Sequence, residues 1–210
     1  MNRTFNLTAA CKRGLPYMVD VLSRLAEIRG YVDRGEYLSI NRARQYGKTT
    51  TLRALDEYLK DAYYVVGMDF QMQMSDAKFR SENAFSVAFA KAFLRILQNQ
   101  GEAFPEKMEQ ELNRLQKATQ ENREDLELVE LFQHLSDICR ESDRPLVLII
   151  DEADSAANHQ VFLDFLAQLR GYYLKRDTMP IFHSVILAGV YNIKNLKLKL
   201  RAAIFHGLLY

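Results

Sequence analysis

At 210 residues, 48% of them hydrophobic, the chain can bury one sizeable core and is too short for two comfortable domains. Its 28 basic and 27 acidic side chains nearly cancel, to a formal charge of +1, so no overall field steers it toward nucleic acid or membrane. Cys11 and Cys139 stand far apart without neighbouring ligand residues, the opening MNRTFNLTAACKRG lacks the apolar core of a signal peptide, and no apolar run reaches membrane-spanning length. A protein of the reducing cytoplasm, with no disulfide framework and no zinc site, is expected.

In chain order the hydrophobic period alternates between strand and helix. Residues 1–36 read as a lead-in segment. "YLSI", Tyr37 to Ile40, is a short apolar run, and the stretch from Thr49 to Lys60 places Leu52, Leu55 and Leu59 on one helical side. "YYVVGMDF", Tyr63 to Phe70, predicts a second strand. From Asn83 the positions Phe85, Ala88, Phe89, Ala92, Phe93, Ile96 and Leu97 follow the three-four spacing of a buried helix face. Glu102 to Asp125 is charge-rich and predicts a surface helix with a loop; Leu126 to Glu141 returns to an apolar stripe. Pro145 stops that helix, and Leu146 to Ile150 is a continuous apolar run, as in a strand covered on both faces of a parallel sheet. Phe162, Phe165, Leu166 and Leu169 mark another helix, and "SVILAGV", Ser184 to Val190, another buried strand. The alternation predicts an α/β fold in three layers around a mostly parallel sheet, with ligands beyond the carboxyl ends of the strands.

Two motifs fall at such ends. Arg42 to Thr49 follows the first strand and closes on Gly47-Lys48-Thr49, and Asp151-Glu152 follows the strand Leu146 to Ile150. A loop entering a helix aims free backbone N–H groups and the positive helix end at one place, which favours polyphosphate. Gly47 permits close approach to phosphate, Lys48 supplies a point charge, and Thr49 offers a hydroxyl to magnesium. Asp151 suits the metal's water shell, and Glu152 suits a base that orients and deprotonates an attacking water. Asp154 and Ser155 read as turn and cap residues of the next helix.

"RARQYGKTT" resembles the Arg-Pro-Arg-Arg-aromatic-Gly-Lys-Ser/Thr loop of bacterial AAA-like ATPases, in the additional-strand, catalytic-glutamate branch of P-loop NTPases and close to its signal-transduction class. Arg42 stands where other such loops begin with glycine, as in that family; Ala43 and Gln45 depart from its usual proline and second arginine. "YMVD", "VLIIDEADS", "FLDFLAQLRGYY" and "SVILAGVYNIKNL" extend the likeness over most of the chain. The resemblance implies a three-layer P-loop core over residues 37–201 that binds ATP with Mg2+. Nucleotide contacts would come from Arg42, Ala43, Arg44, Gln45, Tyr46, Gly47, Lys48, Thr49 and Thr50, the metal site from Thr49 and Asp151, and catalysis from Lys48 and Glu152. After the last strand, Asn192 rather than Tyr191 fits a phosphate sensor. Tyr17 to Asp20 is either an adenine-side segment or a plain strand or turn, and Arg170 either an arginine finger toward a neighbouring subunit or a solvated helix arginine.

Relatives carry a helical lid after the sensor strand and often a nuclease-like domain. About twenty residues follow Val190, so the lid is expected to be absent or truncated, and the apolar tail 202–210 is either a cut end or a strand completing the sheet. The expected function is an ATP-binding switch with weak Mg-dependent hydrolysis, its output in a homo-oligomer or a missing C-terminal effector module. Two readings stay open beside it: a non-hydrolysing regulatory or scaffold module, and an ATPase subunit of a DNA-processing system, for which the charge balance gives no support.

Overall fold

The computed structural model describes residues 22–41, 48–120, 126–189 and 205–209, with backbone alone for 22, 41 and 205–209. In chain order these form α1 (Leu22–Asp33), β1 (Tyr37–Asn41), α2 (Lys48–Leu59), β2 (Tyr64–Asp69), the single turn α3 (Phe70–Gln73), a 3-10 turn (Asp76–Phe79) and α4 (Glu82–Gln98). There follow α5 (Glu106–Gln120), α6 (Leu128–Glu141), β3 (Leu146–Asp151), the single turn α7 (Ala153–Ala156), α8 (Gln160–Leu174), β4 (Ser184–Gly189) and β5 (Phe205–Leu209). The strands lie in the order β2-β3-β4-β1-β5, and every pair is parallel.

Strand alternation divides the core in two. Leu146, Leu148 and Ile150 of β3 point into a large aromatic-rich cluster under α4, α5, α6 and α8, whereas Val147 and Ile149 point to a smaller cluster with α1 and α2. Phe165 of α8 is the hub of the larger cluster, with ring centroids 5.3 Å from Phe85, 4.9 Å from Phe89 and 5.3 Å from Phe132. In the smaller one, Leu25, Ile28 and Val32 of α1 meet Leu52, Leu55 and Leu59 of α2 over Leu38 and Ile40. The part of the lead-in segment that is described therefore covers the strand ahead of the motif loop.

One expectation changes, and of the two open readings of the tail the structure supports one. The charge-rich segment after Glu102 does not only coat the surface: Met108, Leu112, Leu115 and Thr119 form a buried stripe on α5, which packs against α4 and α6. The four positions repeat at helical spacing, but the charges between them conceal the stripe from an average over composition. The apolar tail, for its part, supplies β5, whose residues Phe205 to Leu209 pair with Tyr37 to Asn41. The sheet thus runs beyond residue 201.

Candidate functional site

The strands end along one edge: β2 and β3 at the partners Asp69 and Asp151, and β4 and β1 one residue further on, at the partners Gly189 and Asn41. β4 lies between β1 and β3. A residue leaving β1 must therefore reach over the end of β4 to meet one leaving β3, and Lys48 does so.

Lys48 is the first residue of α2, and its side chain is only 7% exposed. Its Nζ lies 2.8 Å from Asp151 Oδ1 and 2.5 Å from Glu152 Oε1. A loop lysine free in solvent would be expected from the sequence; instead the cation is enclosed by the acidic pair. Burial works to lower the Lys48 pKa, but the hydrogen bonds and charges of Asp151 and Glu152 outweigh it and hold the ammonium above its usual range.

Glu152 has φ 54 and ψ 35, the one non-glycine residue with positive φ among the described residues. This left-handed geometry disfavours any residue with a β-carbon. Local bonds hold it: the Glu152 N–H donates to Asp151 Oδ1 at 2.8 Å, while Ser155 donates its hydroxyl at 2.7 Å and its N–H at 3.0 Å to the Glu152 carbonyl. The chain so turns sharply off β3 and swings the Glu152 carboxylate back toward Lys48. A strained residue kept in place by several contacts is typical of a working site.

Among the described residues both contacts of Asp151 use Oδ1, so Oδ2 is the oxygen that would serve a metal or its water. Thr49, in the first turn of α2, and Asp151 wall the same recess of about 560 Å³, together with Asp69. A hydroxyl and one carboxylate fit Mg2+, which keeps waters and takes its remaining oxygens from phosphate. Among the described residues no three His, Cys, Asp or Glu side chains form a metal cluster of their own. Thr50 follows on the same turn, half-buried.

Arg42 to Gly47, Tyr17 to Asp20, Tyr191 and Asn192 lie outside the described residues. Arg170 is described and is not brought to the acids. It sits in the last turns of α8, next to Tyr173, whose ring packs 4.4 Å from Tyr37 at the opposite, amino end of β1.

Sequence reasoning missed one acidic residue, Asp69, and read another, Asp154, as a turn and cap residue only. Asp69 ends β2 level with Asp151 and accepts the Met72 N–H at 3.1 Å, capping α3. The signal was present, because "YYVVGMD" is an apolar run closed by an aspartate, as is "LVLIID". Asp154 is more than a turn residue, since its carboxyl group lies against Gly189 at the end of β4.

Comparison with known proteins adds family and fold. The family profile described as AAA ATPase domain matches residues 11–176. Among curated proteins none matches. A Walker-type ATPase of Pyrococcus abyssi superposes with a TM-score of 0.62 at 16% identity, covering 91% of this chain and 53% of that one. The Aeropyrum pernix ORC1 protein, solved in complex with DNA, gives 0.55 at 9% identity over 92% of this chain and 45% of its own. Its ORC2 counterpart, solved as ADPNP and ADP complexes, gives 0.53 at 14% identity over 92% and 49%. The chain spans about half the length of these structures, and the likeness establishes the α/β fold of P-loop ATPases. No helix among the described residues is long and apolar enough to cross a membrane.

Proposed function

Because the chain belongs to the AAA ATPase domain family, we propose that it binds ATP at the carboxyl edge of the sheet and hydrolyses it slowly, as a switch. The observation that carries this reading is the meeting of Lys48 with Asp151 and Glu152 beside Thr49, at the N-terminus of α2. Free N–H groups of the first helical turn favour the phosphates, and Lys48 neutralises the outer ones. Gly47 and the run Arg42, Ala43, Arg44, Gln45 and Tyr46 wrap them, Thr50 closes the turn, and Asn192 senses the terminal phosphate. Thr49 and Asp151 would hold Mg2+, whose charge would offset that of the phosphate oxygens. Glu152 orients a water and takes its proton.

With ATP bound, Lys48 exchanges two carboxylates for phosphate, and Glu152 becomes free to serve the water. This exchange supports slow turnover by the chain alone, with the output in a partner or a further module. A non-hydrolysing regulatory module is the second reading, favoured by the same Lys48–Glu152 contact, which engages the base as long as the lysine is not drawn away.

A binding measurement beside a turnover assay on one sample tests both. ATP at about a hundred times its dissociation constant should stabilise the protein by ~2.7 kcal/mol, with turnover well under the ~1–100 s⁻¹ of kinases. Binding without any phosphate release would select the non-hydrolysing module; absence of binding would sink both readings.

A further inference from the structure

The single turn α7 is held down by buried Ala153 and Ala156, which lays the Asp154 carboxyl group against the last residue of β4. A β-carbon built on Gly189 would stand 2.8 Å from Asp154 Oδ1, 3.1 Å from its Cγ and 3.3 Å from its Cβ. Real β-carbons do not approach so closely, so residue 189 has to be glycine while the carboxylate is there. At Gly30, Gly35, Gly67, Gly101 and Gly171 the added carbon comes no nearer than 3.2 Å to anything. Asp154 Oδ1 is shut off from water, and Gly189 is the register partner of Asn41, where the chain leaves β1 on its way to Lys48. The carboxylate is thereby seated on the strand that separates the lysine's strand from that of the acidic pair.

We propose that Asp154 is a positioning residue of the nucleotide site, locking the turn that carries Glu152 onto the end of β4 and so fixing its distance from the start of α2. The inference rests on the nucleotide-binding reading above. Glu152 is in a left-handed conformation that neighbours must enforce. Asp154, two residues on, gives that turn a fixed seat on the sheet, which the bonds within the turn do not supply.

Calorimetric titration with MgATP of Asp154→Ala, Asp154→Asn, Gly189→Ala and the double variant Asp154→Ala/Gly189→Ala tests this, with melting of each sample without nucleotide. Removing a residue that orients ligand-binding groups commonly costs 10–100-fold, so Asp154→Ala should weaken MgATP binding at least about tenfold. Asp154→Asn keeps the shape of the seat and should recover most of the affinity. Gly189→Ala should lose as much as Asp154→Ala, because its methyl group evicts the carboxylate. The double variant should melt higher than Gly189→Ala alone, since the truncated side chain makes room, and should bind no worse. Wild-type affinity in Asp154→Ala, or a lowered melting temperature with unchanged affinity, would overturn the proposal and leave a structural contact only. If the wild type itself does not bind MgATP, the nucleotide reading falls and the positioning role with it, while coupling between residues 154 and 189 is still read from the melting temperatures.

Discussion

Lys48 separates Asp151 from Glu152 as a cation separates two anions, so its removal should do more than delete the proposed phosphate contact. Lys48→Ala should abolish the ATP-induced rise in melting temperature and also destabilise the nucleotide-free protein by about 1.5–3 kcal/mol, the range for lost hydrogen bonds to charged groups. Adding Glu152→Gln should return part of that stability by removing one of the stranded charges; additivity of the two substitutions in chemical unfolding would show that the contact carries no energy. On the proposed reading the acids divide by role. Asp151→Asn should weaken the magnesium-dependent part of ATP binding, whereas Glu152→Gln should retain binding and slow hydrolysis about a hundredfold or more. Equal effects on binding would dissolve the division. The left-handed backbone of Glu152 makes a further prediction, because glycine accepts φ 54 and alanine does not. Glu152→Gly should be more stable than Glu152→Ala by about 1 kcal/mol, the reverse of the order in a helix interior, as measured by urea unfolding.

At the scale of elements, most of the fold was legible because its strands are continuous apolar runs and its large helices keep a clean three-four spacing. "PLVLIIDE" could be read as a strand with an acidic tip, and Thr49 as a helix start, since each depends on neighbours in sequence. What the sequence did not disclose depends on neighbours in space. That Lys48 is buried follows from Asp151 and Glu152 standing opposite it, 103 and 104 positions further on. Glu152's conformation and the seat of Asp154 on Gly189 likewise arise from elements that meet only once the sheet has formed. α5 is a different kind of omission, for its buried stripe was in the sequence but diluted by charge. Leu115, fully buried against α4 and α6, should show this: Leu115→Ala should cost about 2–5 kcal/mol in chemical unfolding, where a surface position would lose under about 0.5 kcal/mol.

Across the whole molecule, stability should fall on the alkaline side. The Tyr63 hydroxyl donates to Asp33 Oδ1 at 2.7 Å, and burial, with that carboxylate, pushes its pKa up from 10.0 to about 12. A folded pKa above the unfolded one means that the contribution is complete below about pH 10 and disappears as pH rises through about 12. Lys48, raised as well, acts in the same direction. Tyr63→Phe should therefore flatten the loss of stability between pH 10 and 12, measured as melting temperature against pH; an unchanged slope would show that the hydroxyl titrates alike folded and unfolded. The order of the strands bears on how the chain first comes together. β1 is made early, yet both of its partners are late, Leu38 pairing with Ile186 on one side and His206 on the other. At about 5–20 residues per second, a ribosome needs about 7–30 s to go from the first of these to Ile186. For that interval β1 has neither of its native strand partners, with both of its hydrogen-bonding edges open to foreign strands, while β2 and β3 can already join. Aggregation of the nascent chain should thus be governed by β1, the strand that precedes Lys48, and a peptide of the β4 sequence supplied during synthesis should compete for it.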